Sequence, residues 1–551
     1  MTSQHPPFVR TRLSMMMFLE FFTWGCWGVT ITGYASTLRF GESQIGWLGA
    51  VPAIGAIISP LFVGLIADRF FSAQRMLSVL HLLGGASLIL AGFQNSFPLL
   101  MLFMLLNGLA FMPTIALVNA VAFRHIPDPD NFPRIAVLGT VGWIVAIVVS
   151  GVFLGGAEKS HFLYLGGVGS ILLALYALTL PDTPPKGAGA GGDMFGLSAL
   201  KLFKEPSFLI FVVCVFLLSI PACGYFFTLM VPMLQQRGYP APVALTSLNQ
   251  FAELIFMFSM PLFVAKFGLK RVILIGMTAW AVRYLFFTCP AFSAAFVGLI
   301  LHGFCYSFFY VGAYMWVDRR APAELKSSAQ SLLAFLLLGV GYLLGAKGAG
   351  IMMGQFPADL TAMAAVDAET GDKVEDAKLP RWDDPEAATS AWRFLDLRGT
   401  VEGLLKKQED EKETPKLDLA QQLDTDTEGK ISLANIERFE GSSVTVDGLK
   451  YSKEDLASTF RMAHEKLGLE GNVALDRKQW LAVQANKWNR IWFWPSIFCF
   501  VILAIFAVAF RDEPAKGETT EEARELPDDK EPVSEPPMSE EEGEPEEADE
   551  G

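Results

Sequence analysis

The sequence predicts an all-α membrane protein: twelve transmembrane helices in two six-helix halves, plus a small helical insert outside the membrane. Three observations carry this expectation. Of 551 residues, 52% are hydrophobic and 12% aromatic, and mean hydropathy is +0.38. A soluble chain of that length divides into several domains and is more polar. Apolar runs of bilayer-crossing length recur along the chain. One pattern also occurs twice: PLFV stands at 60–63 in "SPLFVGLIADRFFSAQR" and at 261–264 in "MPLFVAKFGLKR".

The spans follow in order. Six of them, 10–36, 43–66, 75–94, 97–119, 137–156 and 161–180, make an N-terminal half over 1–180. The first is too long for a signal peptide, and no small-residue cleavage site follows it, so it is expected to be retained. A linker, 181–206, contains "PDTPPKGAGAGG". Spans at 207–229, 246–265, 271–289, 292–316 and 328–353 form the C-terminal half over 207–353. Polar residues 354–488 interrupt it before a last span within 489–511, and 512–551 form a tail. With the N-terminus inside, fifteen Lys and Arg fall on the inner side, against Arg39, Lys159 and Arg237 outside. That asymmetry is the positive-inside pattern, and it places both termini in the cytoplasm and the protein in an inner (plasma) membrane.

Net charge is −14, and residues 511–551 account for all of it, with eighteen acidic and four basic side chains. Rich in Pro and Glu and without aromatics, the tail has no core to bury and is expected to be disordered, its partner unknown. The six cysteines lie in apolar spans with no paired metal spacing, as small packing residues. No Walker loop, nucleophile elbow or metal spacing occurs, which argues against a primary pump or an enzyme and implies no required cofactor. Nothing points to nucleic acid. The bilayer is the expected large partner.

Within the insert, "DLAQQLDTDTEGKISLANIERF" reads as helix, loop, helix in the manner of an EF-hand. Asp424, Asp426 and Glu428 fill loop positions 1, 3 and 5, and Gly429 the sharp turn at 6. Position 12, which needs a bidentate Glu, is Asn435. A second unit, "DLASTFRMAHEKLGLEGNVALDRKQWLAV", puts Lys466 and Arg477 at ligand positions. Two readings stand: an EF-hand-like pair with one weak calcium site, or a helical hairpin without metal.

A polar group inside a span faces the bundle interior, where partners or water satisfy it. A charge at mid-bilayer otherwise costs about 2.5–3.5 kcal/mol on insertion scales. Glu20 shares a helix face with Trp24 and Trp27, as either a site for a planar hydrogen-bonding ligand or an interhelical packing bond. Gln250 and Glu253, three residues apart in "TSLNQFAELIFMF", offer donors and acceptors on one face to a multidentate polar solute. Arg283 is expected to meet a carboxylate. His302 precedes Tyr306 on one face, and His81 and Lys347 read as structural.

The segments "LEFFTWGCWGVT", "LLNGLAFMPTIALVNAVAF", "GTVGWI", "NQFAELIFM", "HGFCYSFF" and "ELKSSAQSLLAF" together resemble the nucleoside:proton symporter family of the major facilitator superfamily. "GLIADRFFSAQR" is similar to that superfamily's loop 2–3 signature, without the glycine between its charges. The resemblance covers 1–353 and 489–511. It implies that Gln250, Glu253, Thr140, Trp143 and Tyr306 contact a nucleoside. It also identifies two departures: Ala136 where the family has Arg, and Ser307 where it has an Asp suited to proton coupling and ribose binding. The expected protein is a nucleoside:proton symporter working by alternating access. Gln250, Glu253, Thr140, Trp143, Tyr306, Ser307, Glu20 and Trp24 line its site, and Glu253 couples the proton with Glu20 or His302. A carrier of another polar solute such as a sugar, or a non-transporting ligand sensor, are the alternatives.

Overall fold

The computed structural model describes residues 8–58 without 39, 71–126, 132–184, 195–355 without 238 and 290, scattered residues between 433 and 457, and 477–511. The first long apolar stretch forms α1 (Val9–Trp27) and α2 (Thr30–Thr37), parted at Gly28. A Cβ at Gly28 would stand 2.9 Å from the Trp24 indole, so the glycine makes room for that ring. Next come α3 (Glu42–Gly49) and helical residues 51–58. The helices α4 (Ala73–Gly92), α5 (Phe97–His125), α6 (Phe132–Phe153) and α7 (His161–Ala177) complete this part of the bundle.

Proline starts several helices, where its missing N–H costs nothing. Pro98 stands in the first turn of α5, and Pro206 opens α8 (Pro206–Gln236). Then follow α9 (Pro242–Phe267), α10 (Leu269–Thr288), α11 (Phe292–Arg320) and α12 (Lys326–Gly354). Gly268, at φ 78, makes the one-residue turn between α9 and α10, a left-handed conformation that only glycine adopts without strain. Between α12 and the last helix, the described residues hold a short α13 (Leu433–Arg438) and a hairpin of β1 (Ser443–Val446) and β2 (Leu449–Ser452). That hairpin departs from the all-α expectation. The last helix, α14 (Arg477–Ala509), is continuous for 33 residues, so the end of the insert and the final apolar span share one rod. Nine of the described helices are long and apolar enough to cross a membrane.

The helices turn their polar residues inward. On α9, Asn249 and Gln250 are buried, while Ile255, Phe258 and Leu262 are 65%, 71% and 73% exposed. Such a face suits lipid. Packing repeats along the chain: α1 lies on α6 and α4 on α7, and then α8 lies on α12 and α10 on α14.

The two halves meet through α2 with α8, α3 with α12, and α6 with α9. Thr32 Oγ1 donates to Phe227 O at 3.2 Å, and Gln236 Nε2 to Ser36 Oγ at 3.4 Å. A Cβ at Gly46 would lie 3.0 Å from Ala346 O and 3.1 Å from Gly350 Cα. Because α2 also packs on the Gly156–Glu158 turn at the end of α6, these contacts share one end of the bundle.

Candidate functional site

Four aromatic rings gather where the halves meet. Trp24 of α1 lies 5.1 Å from Trp143 of α6, edge to face, and 6.1 Å from Phe227 of α8 with the rings parallel. Phe227 stacks on Tyr342 of α12 at 5.2 Å. The indole N–H groups of Trp24 and Trp143 and the Tyr342 hydroxyl are buried without a hydrogen-bond partner among the described residues. Buried donors ordinarily find partners, so three of them around one aromatic cluster between the halves make it a candidate site for a polar solute. Thr140 stands one turn from Trp143 on the same face of α6 and is partly buried.

Phe227 touches Phe226 at 4.9 Å, and Phe226 stacks on His302 at 4.8 Å with 16° between the planes. The cage thus continues into a polar pole. His302 Nε2 lies 4.0 Å from Glu253 Oε2. Gln250, one turn earlier on α9, is buried with its Oε1 unpartnered among the described residues. On α11, Tyr306 lies 6.4 Å from the His302 ring and is 38% exposed. Ser307 is buried, and its hydroxyl donates to Glu253 O at 3.3 Å. That bond ties α11 to α9 within the π-helical stretch Cys305–Val311. Such bulges recur at functional sites.

Arg283 corrects the expectation of a carboxylate partner. Its Nε donates to Gly298 O at 2.9 Å, Nη1 to His302 Nδ1 at 3.0 Å and Nη2 to Asn249 Oδ1 at 3.0 Å. The guanidinium also lies 5.2–5.5 Å from the ring centroids of Trp280, Phe287 and Phe226. Five donors and a weakly hydrated plane let an arginine be held this way.

Glu20, one turn before Trp24 on α1, is held in its own set of bonds. It is fully buried, with Oε2 2.8 Å from His81 Nε2 and Oε1 accepting from Thr114 at 2.7 Å. His81 Nδ1 lies 2.9 Å from Ser170 Oγ, which donates to His81 O at 2.8 Å. This knot joins α1, α4, α5 and α7, and no hydrogen bond among the described residues links it to Gln250 or Glu253. Lys347 places Nζ 3.8 Å over the Trp47 ring. Cys289 is exposed just beyond α10, unlike the other five cysteines, which are buried. Asp424, Asp426, Glu428 and Asp68 lie outside the described residues.

Sequence reading missed Phe226, Phe227, Tyr342 and Asn249. The signals were present: paired phenylalanines between Pro221 and Pro232 inside α8, and an asparagine directly before Gln250. Which aromatic faces the site among 45 phenylalanines is not a property of composition.

The chain resembles known transporters over this bundle. It is 40% identical over 357 residues to the putative nucleoside transporter YegT of Escherichia coli, covering 62% of this chain and 84% of that protein. To the xanthosine permease of the same organism it is 33% identical, over 64% of this chain and 89% of the other. A crystal structure of a point mutant of nucleoside transporter NupG superposes with a TM-score of 0.60 at 26% identity, covering 64% of this chain and 93% of that one. These relatives are transporters and not enzymes. The family model described as nucleoside H+ symporter matches residues 8–367, and over that length the chain belongs to the nucleoside H+ symporter family.

Proposed function

We propose that this protein carries nucleosides together with protons through a site between its two halves, which rock to expose it to either side in turn. Twelve crossings are the arrangement this reading needs. The nine long apolar helices supply most of them. The shorter α7 and the two stretches broken near Gly28 and Ala50 supply the rest. Both termini then face the cytoplasm, on the side where the basic residues concentrate.

One observation carries the substrate assignment. Trp24 and Trp143 N–H, Tyr342 O–H and Gln250 Oε1 are buried and without a partner among the described residues, around an aromatic surface that runs to His302 beside Glu253. A nucleoside is a planar base with a hydroxyl-bearing ribose. The rings take the base, and the polar pole takes the hydroxyls. Thr140 and Tyr306 border the same space, whereas Ser307 supports it by holding the backbone of Glu253. Glu253 is the proton-carrying group, with His302 as its neighbour. The bonds of Glu20 to His81 and Thr114 support a packing role for it.

The test is uptake of radiolabelled uridine, adenosine and xanthosine, with a sugar as control, into vesicles holding the purified protein. Accumulation of a nucleoside only under an inward proton gradient is expected. Binding without accumulation, or uptake of the sugar alone, would overturn the assignment.

A further inference from the structure

We propose that Arg283 is a positioning residue for proton coupling: it fixes the His302 ring so that its single ring proton, on Nε2, faces Glu253. The inference rests on the reading of Glu253 as the proton-carrying group. Arg283 is fully buried in α10, with Nη1 3.0 Å from His302 Nδ1. A guanidinium has donors and no acceptor, so Nδ1 must present its lone pair. In a neutral imidazole the proton then sits on Nε2. That is the atom 4.0 Å from Glu253 Oε2.

The rest of the arrangement leaves little freedom. Phe226 stacks on one side of the imidazole, and Trp280 meets it edge to face at 5.9 Å. Arg283 is itself aimed by Gly298 O and Asn249 Oδ1. Asn249 Nδ2 donates to Thr246 O at 2.8 Å, which settles the end of the amide that faces the guanidinium. Direction therefore runs one way, with Asn249 orienting Arg283 and Arg283 orienting His302 toward Glu253.

The chemical consequence is specific. While Arg283 holds Nδ1, His302 has no free lone pair to take the proton that leaves Glu253. Instead it offers the ionised carboxylate an N–H donor, and a small movement closes the 4.0 Å gap into a charge-assisted bond. Among the described residues, the charged or titratable groups that meet His302 are Glu253 from α9, Arg283 from α10 and Tyr306 from α11; across Trp280 lie Tyr284 and Tyr310, and Tyr310 meets Cys223 of α8. Thiols and phenols ordinarily titrate at about 8.5 and above. Coupling in the parent is then the titration of one group.

The experiment compares the full-length parent with Arg283→Gln, Arg283→Lys and the double variant Arg283→Gln/His302→Gln, each reconstituted in vesicles. Two readouts are taken: 15N spectra of labelled histidine, assigned by loss of a signal in His302→Gln, and the pH profile of uridine uptake. In the parent, His302 stays in the Nε2–H tautomer from about pH 5 to about pH 8, the window in which a free histidine titrates, and uptake falls in one step. In Arg283→Gln the ring protonates within that window and a second step appears. Arg283→Lys, which keeps donor and charge, restores the single step, and so does the double variant, which lacks the imidazole. A parent ring in the Nδ1–H tautomer would overturn the proposal, and that spectrum decides it even if Arg283→Gln does not fold. Parent-like spectra and profile in a folded Arg283→Gln would overturn it equally. Absence of uridine counterflow in the parent would instead sink the nucleoside reading, while the spectrum still reports the tautomer.

Discussion

Glu253 and Glu20 are two carboxylates in one membrane bundle with opposite surroundings. Glu20 has a partner on each oxygen and no exposure. Glu253 is partly exposed, with its nearest ion-pairing neighbour 4.0 Å away. A group that must gain and lose a proton in each cycle needs the second environment. Glu253→Gln keeps the shape and removes the titration, so uptake driven by a proton gradient is expected to fall while counterflow exchange persists; equal loss of both would mark a structural residue. Gln250→Ala is expected to weaken nucleoside binding by about 1–3 kcal/mol, the usual effect of removing one partner of a buried polar group, read by equilibrium binding. Glu20→Gln leaves His81 or Thr114 with a poorer partner. Its melting temperature should drop, while the pH profile of uptake per folded molecule stays that of the parent.

Helices here are built by two rules at once. Along α9, Ile255, Phe258 and Leu262 are exposed while Asn249 and Gln250 are buried, because lipid takes the place of the protein core as the apolar solvent. Where helices of opposite halves touch, glycines let backbones approach, as at Gly46 against Ala346 and Gly350. Such a contact closes one end of the bundle only while both surfaces stay small. Gly46→Leu should therefore hold this end apart. Cysteines introduced near Ser36 and Gln236, which bond across the halves here, should react faster with an impermeant thiol reagent, and net uptake should fall. Unchanged labelling would show that this contact does not gate the site.

At the scale of the molecule, the repeated pairing of α1 with α6 and α4 with α7, then α8 with α12 and α10 with α14, describes two similar bodies. The aromatic cage draws Trp24 and Trp143 from one body and Phe227 and Tyr342 from the other. Rocking the bodies would part Trp24 from Phe227 without breaking the packing inside either. Dissipating the proton gradient with an ionophore is expected to abolish accumulation of nucleoside but leave its equilibration across the membrane. Accumulation that survives the ionophore would exclude proton coupling.

By itself the sequence determined that polar residues in apolar runs would turn away from lipid, since the cost of exposing them is set by the bilayer and not by the fold. It thereby singled out Gln250, Glu253, Glu20 and His302, and its motifs identified the family. It did not determine which polar groups meet. Glu20 and Glu253 look alike in one dimension, each an acid among aromatics on an apolar helix. Only packing placed His81, Thr114 and Ser170 around the first and left the second facing His302. The same holds for Arg283, whose partners come from positions 249, 298 and 302. Hydrogen bonds between helices depend on rotation and offset over a few ångströms, and those are set by the summed packing of the whole bundle, which no local pattern encodes.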